Sequence, residues 1–134
     1  MTAGFLNNLK YEELGEYKGK TIYRLTEQLY FQCADGSVIC VPEDFQTDLA
    51  SVPRIPFVYM AWGDRCHREA VLHDYLYRID SAPIVSRADA DNYFKIAMIS
   101  RKQPWHIYYP MYLGVRAGGC FAYHKLKVSH EFIK

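Results

Sequence analysis

The chain has 134 residues, a usual length for one domain, and half of them are hydrophobic, as in globular proteins. Its net charge is only +1 and its acidic and basic residues are interspersed, so no basic face for binding nucleic acid is expected. No apolar run reaches the ~18 residues that a membrane helix needs, and the first residues lack the apolar stretch of a signal peptide. We therefore expect a single domain, 1–134, that is made in a cytoplasm.

The first 42 residues predict β-structure. Three segments are rich in β-branched and aromatic residues, 21–25, 29–33 and 38–41. Asp35 and Gly36 form a typical hairpin turn between the last two. Cys33 and Cys40 flank this turn and could face each other, but the four cysteines fit no zinc pattern and we expect them to be reduced. Residues 43–64 have no clear period, which predicts a long ordered loop of the kind that often carries function.

Beyond residue 65 the apolar residues recur every three or four positions, which predicts helices. The first helix is expected over 66–79 and the second over 87–100. Ser86 is expected to cap the second helix, with Asp89 three positions later, where a negative charge is favourable. The residues expected to face inward are Ala70, Leu72, Leu76 and Ile79 in the first helix and Ala90, Phe94, Ala97 and Met98 in the second.

A third helix is expected from Pro104 to Gly118, with a kink at Pro110. It is rich in aromatic residues, namely Trp105, Tyr108, Tyr109 and Tyr112. We expect these residues to pack mainly in the core, and the tyrosines are also a candidate contact to a second copy of the chain. Strands followed by helices predict an α+β fold. Its parts are an N-terminal antiparallel hairpin or small sheet (1–42), the long loop (43–64), a three-helix part (65–122) and a tail (123–134).

Two adjacent polar residues, His73 and Asp74, interrupt the apolar part of the first predicted helix. Burying such a pair is costly unless partners are supplied. Tyr77 follows one turn after His73 and lies on the same face. If the second helix folds back on the first, Asp91 can reach His73, whereas Asp89 is explained by capping. A histidine oriented by a carboxylate is the arrangement that a general base needs, so His73 and Asp91 are the candidate catalytic residues.

Asp48, in the predicted loop, and Asp74 are the candidate metal ligands. Carboxylate oxygens suit calcium, and a histidine with carboxylates would equally suit zinc, so the divalent metal stays open. Thr47, Arg54 and Tyr77 are expected to support the site. Arg54 and Arg116 could instead pair with the buried carboxylates, which would make the cluster a structural ion network.

Four motifs follow one another along the chain. They are T-D-L-A-S-V-P-R (47–54), H-D-Y-L-Y (73–77), A-D-x-x-F-x-x-A-M (90–98) and M-Y-x-x-V-R-x-x-G (111–119). Together they resemble a family of uncharacterised small proteins found mostly in tailed phages and prophages. The resemblance implies a phage origin, synthesis in the host cytoplasm, and a place in the virion or near the lysis or tail genes. Its implied partners are other virion proteins.

H-D-x-x-Y on one helix, followed on the next by an aspartate and F-x-x-x-M, is similar to the paired helices of secreted phospholipases A2. That resemblance implies that His73 activates water, that Asp74 binds calcium with the segment at Asp48, and that Asp91 orients His73. The sequence departs from that family in two respects. The cysteines for helix-linking disulfides are absent, and L-A-S-V-P stands in place of a glycine-rich calcium loop. Convergence on a common helix pattern is therefore the alternative.

Three functions remain open at this level. The first is a metal-dependent hydrolase of cell-envelope material, either lipid ester or peptidoglycan, that uses His73, Asp91 and the two candidate metal ligands. The second is a structural virion component associated with the tail or baseplate, in which the same polar cluster braces the long loop. The third is a protein that binds a host factor, for which an exposed aromatic patch would be the distinguishing feature.

Overall fold

A computed structural model describes residues 2–49 and 66–134 of the chain. Within these residues the N-terminal part forms two three-stranded antiparallel sheets, in the orders β1-β4-β5 and β2-β3-β6. The strands are β1 (Gly4–Phe5), β2 (Tyr11–Tyr17), β3 (Lys20–Leu25), β4 (Leu29–Gln32), β5 (Val38–Val41) and β6 (Gln46–Thr47). The three predicted strands correspond to β3, β4 and β5, and the predicted α+β fold is confirmed.

The β4–β5 hairpin turns at Asp35 and Gly36, as predicted. Gly36 has a φ of 93°, which glycine adopts without steric cost, and Asp35 Oδ1 accepts a hydrogen bond of 2.9 Å from the backbone N–H of Ser37. The register of the hairpin places Cys40 opposite Tyr30. The expectation that Cys33 and Cys40 could face each other is therefore wrong, and both are free thiols.

Strand β2 was not expected from the sequence. Its segment YEELGEY contains three glutamates and is exposed over most of its length, so it shows no alternation of buried and exposed residues. Its pairing with β3 includes a register shift between Glu13 and Gly15. Pairing between strands, not a hydrophobic pattern, holds this segment in the sheet.

Three helices follow, α1 (His67–Leu76), α2 (Arg87–Ser100) and α3 (Trp105–Gly118), and a 3-10 turn (Gly119–Phe121) extends the last one. Helix α1 ends three residues earlier than predicted. Ile79 is 48% exposed, and its backbone N–H donates to the carbonyl of Leu126 at 2.9 Å. The expectation that Ile79 faces the core is therefore wrong, because the C-terminal segment captures this stretch of backbone.

Helix α2 agrees with the prediction. Ser86 Oγ accepts a hydrogen bond of 3.1 Å from the backbone N–H of Asp89, which caps the helix. The four residues predicted to face inward are all fully buried, Ala90, Phe94, Ala97 and Met98. Asp91, the residue after Ala90, is also fully buried.

Helix α3 faces the core with Ile107, Met111 and Val115, which recur every four residues. On other sides of the helix, Trp105 is 71% exposed and Tyr109 is 49% exposed. The expectation that the aromatic residues of this helix pack mainly in the core is therefore wrong for these two, because three other apolar residues already fill the inward stripe.

Residues 123–134 pack back onto the N-terminal sheets. The side chain of Gln46 accepts hydrogen bonds from the backbone N–H groups of Phe132 (2.8 Å) and Ile133 (3.0 Å), and it donates to the carbonyl of Ile133 at 2.8 Å. Gln46 belongs to β6, so a short strand occupies part of the predicted 43–64 loop. Residues 50–65 of that loop lie outside the described residues. None of the helices in residues 2–49 and 66–134 has the length and hydrophobicity of a membrane-spanning segment.

Candidate functional site

His73 lies at the interface between α1 and α2, where its side chain is almost fully buried. Its Nε2 lies 2.6 Å from Oδ1 of Asp91, which is itself fully buried. The ring of His73 also packs on Phe94, with 5.0 Å between the ring centroids. The structure thus brings together the two residues that the sequence proposed as catalytic, and it fixes the orientation of the imidazole.

Tyr77 joins the same carboxylate. Its hydroxyl donates to Oδ1 of Asp91, the oxygen that His73 also contacts. The rings of His73 and Tyr77 lie 4.1 Å apart, centroid to centroid, as expected for residues one helical turn apart. Tyr77 therefore supports the pair by occupying the second hydrogen-bonding position on this oxygen.

Two arginines neutralise the other oxygen of Asp91. Arg116 Nη1, from α3, donates to Oδ2 at 2.9 Å, and Arg87 Nη1, one turn before Asp91 on α2, lies 3.7 Å from it. The predicted pairing of Arg116 with a buried carboxylate is confirmed, while Arg54 lies outside the described residues. Arg87 was missed, although its spacing of four residues from Asp91 on one helix could have indicated the contact.

These contacts determine the charge state of Asp91. Burial by itself opposes ionisation of the carboxyl, but the hydrogen bonds from His73, Tyr77 and Arg116 outweigh it and hold the pKa of Asp91 below its usual value. Burial, followed by the hydrogen bond to Asp91, raises the pKa of Tyr77 well above its ordinary range. Asp91 is therefore a carboxylate at neutral pH and Tyr77 remains a protonated donor.

Asp74, adjacent to His73, ties β6 to α1. Its Oδ2 accepts a hydrogen bond from Thr47 Oγ1, and the same hydroxyl accepts one of 3.0 Å from the backbone N–H of Leu49. Asp48, the residue between them, has its Oδ2 3.5 Å from Nζ of Lys20 on β3. Thr47 thus supports the site as predicted, by holding the segment that carries Asp48 close to the helix that carries Asp74.

A cavity of about 470 Å³ opens beside this cluster, within the range of small-molecule binding sites. His73 and Asp74 line it from α1, Tyr77 lines it from the position just after this helix, and Asp48 lines it from the segment after β6. Four of the residues singled out in the sequence therefore face one space. Asp91 lies behind His73 and Tyr77 and is not part of the described lining.

Arg78 also lines the cavity and was not expected to belong to the site. It is only 5% exposed, and its guanidinium donates to the carbonyls of Gln46 (3.1 Å) and Lys127 (3.2 Å). Burial lowers the pKa of Arg78, and the nearby carboxylates of Asp74 and Asp48 act in the opposite direction. The two predicted metal ligands therefore compensate a buried cation.

This arrangement bears on the predicted metal. In the part of the chain that the structure describes, no group of three or more His, Cys, Asp or Glu residues is arranged to hold a metal ion. Asp48 lies beside Lys20, and both Asp48 and Asp74 lie in the field of Arg78. These residues do not by themselves fit a calcium or zinc site, and the divalent metal stays a prediction.

Comparison with known proteins identifies the family. Residues 23–115 match the model of a family described as proteins of unknown function (DUF1353). The chain belongs to this family. The expected membership of an uncharacterised family is thereby confirmed, and the matched range includes Thr47, His73 and Asp91. No curated protein matches the chain, and no solved structure matches it either.

In this member of the family, each of the four sequence motifs supplies part of the same cluster. The first contributes Thr47, the second His73 with Asp74 and Tyr77, and the third Asp91. The fourth contributes Arg116, which binds Asp91, and Gly119, where any side chain would overlap the phenol of Tyr77. The motifs thus describe one three-dimensional site and not four separate features.

Proposed function

We propose that the chain is a hydrolase of cell-envelope material in which His73 is the general base. The observation that carries this proposal is that Nε2 of His73 lies 2.6 Å from Asp91 while His73 is among the residues that line a cavity of about 470 Å³. An imidazole oriented by a buried carboxylate and facing a ligand-sized space is the geometry that general-base catalysis requires.

The chemistry follows from which ring atom is engaged. Because Nε2 faces Asp91, it carries the proton of the neutral imidazole, and Nδ1 is the basic atom. We propose that His73 activates a water molecule that attacks the carbonyl carbon of an ester. His73 accepts the proton of this water, the bond from the acyl carbon to the alcohol oxygen breaks, and the proton passes to the departing alcohol. One water is consumed, and one acid and one alcohol are formed.

Asp91 serves this step by stabilising the imidazolium that forms on His73. Its lowered pKa keeps it ionised, and Arg116 and Tyr77 hold it in place. The similarity of this helix pair to that of phospholipases A2 supports the same roles for His73 and Asp91. Asp48 and Asp74 stay the predicted contacts of a divalent ion, although among the described residues they do not by themselves form a site for one, and no step of the reaction depends on it.

The test uses the purified chain with phospholipid vesicles, and separately with peptidoglycan sacculi, each with EDTA, calcium or zinc. We expect hydrolysis of one substrate, and we expect His73→Gln to reduce its rate by about a hundredfold or more. The matched control is His106→Gln, because His106 is exposed on α3 away from the cavity. Equal hydrolysis by His73→Gln and the unmodified chain would refute the assignment of His73.

A second candidate is a non-enzymatic virion component of the tail or baseplate. Helix α3 exposes three large residues spaced four apart, Trp105 (71%), Tyr109 (49%) and Leu113 (52%), as a surface contacting another protein would. We propose a neighbouring virion protein as its partner, on the basis of the resemblance to phage proteins. The chain would then be made in the host cytoplasm and carried in the particle.

This second candidate is tested by particle assembly. A structural component should co-purify with particles in fixed stoichiometry, and the double variant Trp105→Ser and Tyr109→Ser should lose that association while His73→Gln keeps it. If the chain is absent from particles but captures one host protein through the same face, the host-factor function is favoured instead.

A further inference from the structure

Two glycines contribute to the lining of the cavity. They are Gly114 and Gly118, four residues apart on α3. A Cβ added to Gly118 would meet no atom within 4 Å, so the space above this residue is open. Gly118 has a φ of −107°, which other residues also adopt, so its backbone does not require glycine. The absence of a side chain at Gly118 therefore leaves room for a ligand.

Apolar side chains also line the cavity. Val115 lines it from α3, and Leu126 and Phe132 line it from the C-terminal segment. An apolar chain that enters this space removes hydrocarbon surface from water on both sides of the contact. A strongly hydrated sugar polymer would gain much less there. The shape and lining thus favour a ligand with a hydrocarbon portion.

The charges around the cavity favour a negative group on the same ligand. Among its described lining residues three are cationic, Lys20, Arg78 and Lys125, and two are anionic, Asp48 and Asp74. Lys20 pairs with Asp48, and both carboxylates lie in the field of the buried Arg78. Lys125 is exposed and forms no ion pair with a described carboxylate. Its ammonium group can therefore bind an anion beside the cavity.

We propose that the cavity binds an anionic amphiphile, specifically an acyl ester whose hydrocarbon chain lies over Gly114 and Gly118 and whose phosphate or carboxylate contacts Lys125. This inference rests on the proposed hydrolase function and narrows its substrate from cell-envelope material to anionic lipid esters. The ester carbonyl would then lie between the hydrocarbon chain and the head group, in the cavity that His73 also lines.

Binding is tested separately from catalysis with three soluble probes of equal chain length: decyl phosphate, decyl maltoside and decyltrimethylammonium. Each is titrated calorimetrically below its micelle concentration into the full chain and into His73→Gln. We expect decyl phosphate to bind most tightly to both proteins. Equal affinity for the three probes, or preference for the cationic one, would overturn the inference even if the chain is a hydrolase.

Two variants locate the bound molecule. Gly118→Leu places a side chain in open space and should abolish binding of every probe without lowering the melting temperature. Lys125→Gln should weaken the binding of decyl phosphate by roughly fivefold, which corresponds to the loss of one exposed ion pair, and leave the binding of decyl maltoside unchanged. If Gly118→Leu impairs folding, the Lys125→Gln comparison still decides. An unchanged affinity of Lys125→Gln for decyl phosphate overturns the assignment of the head group.

A hydrolysis experiment separates the two proposals. Vesicles of phosphatidylglycerol should be cleaved faster than vesicles of phosphatidylcholine, and sacculi should not be cleaved. Cleavage of sacculi alone would keep the hydrolase function and overturn the lipid inference. Decyl phosphate binding that Gly118→Leu abolishes, without cleavage of any substrate, would keep the lipid-binding cavity and overturn the hydrolase function.

Discussion

Gly119 lies directly against the phenol of Tyr77. A Cβ at position 119 would overlap the Tyr77 hydroxyl and lie 3.0 Å from its Cζ atom. The backbone of Gly119 has a φ of −65°, an ordinary helical value, so space and not conformation requires glycine there. The end of α3 thus positions the hydroxyl that donates to Asp91.

Gly119→Ala should therefore displace Tyr77 and destabilise the fold by about 1–3 kcal/mol, the usual cost of overpacking. Gly118→Ala is the matched control, because its new methyl group meets nothing within 4 Å. That control should be neutral or stabilise by up to about 1 kcal/mol. Urea unfolding of both variants gives the comparison, and equal stabilities would show that the contact with Tyr77 is unimportant.

Asp91→Ala should be strongly destabilising. It removes the acceptor of His73 and Tyr77 and leaves Arg116 without its carboxylate, and breaking such a buried pair costs about 3–5 kcal/mol. Asp89→Ala, on the same helix, is the control, because the side chain of Asp89 is exposed. This variant loses only the favourable interaction of a negative charge with the helix N-terminus, about 0.3–1 kcal/mol of stability. A loss for Asp91→Ala no larger than that for Asp89→Ala would contradict the described network.

The lowered pKa of Asp91 predicts a loss of stability in acid. The carboxylate contributes stability that is fully present above the ordinary pKa of an aspartate in the unfolded chain, and this contribution is lost as the pH falls through the lower pKa of the folded state. We therefore expect the free energy of unfolding of the unmodified chain to fall more steeply below pH 4 than that of Asp91→Asn. Parallel profiles of the two proteins in acid would exclude Asp91 as the source.

The Tyr77 hydroxyl should matter to both stability and activity. Tyr77→Phe removes one hydrogen bond to Asp91 and should cost about 0.5–1.5 kcal/mol, with the pKa of Asp91 shifting upward. Tyr75→Phe is closely matched, since Tyr75 is also 5% exposed on α1, but its hydroxyl bonds to the backbone of Ala82. Only Tyr77→Phe should change the pH dependence of hydrolysis. A similar change in Tyr75→Phe would indicate a general effect on α1.

A second buried carboxylate predicts the opposite pH dependence. Burial raises the pKa of Glu69, although Arg101 Nη1 lies 2.6 Å from its Oε1 and opposes this shift. A raised pKa makes the folded state bind protons more tightly, so stability falls as the pH rises from the unfolded pKa to the folded one. Arg101→Met should widen this window by removing the cation. Melting temperatures are measured by circular dichroism at pH 4.5 and pH 7. We expect Arg101→Met to lower the melting temperature more at pH 7 than at pH 4.5. An equal decrease at both pH values would refute this role of Glu69.

Much of the fold could be predicted from local patterns. Strands β3 to β5 and all three helices appear in the sequence as changes of hydrophobic period, because each buries one face in the core. Strand β2 could not be predicted in this way, since it is held by pairing with β3 and is exposed along most of its length. The end of α1 was also misplaced, because the backbone of Leu126, nearly fifty residues later, captures Ile79.

The candidate site was also only partly predictable from the sequence. Helical spacing by itself determined that Tyr77 lies on the face of His73 and that a returning helix would bring Asp91 to it. Only the tertiary structure decided that Asp91 is neutralised by Arg116 and Arg87, and that Asp48 and Asp74 lie beside the buried Arg78. The physical reason is that periodicity is set by neighbours along one element, whereas the partner of a buried charge is set by which distant segments pack around it.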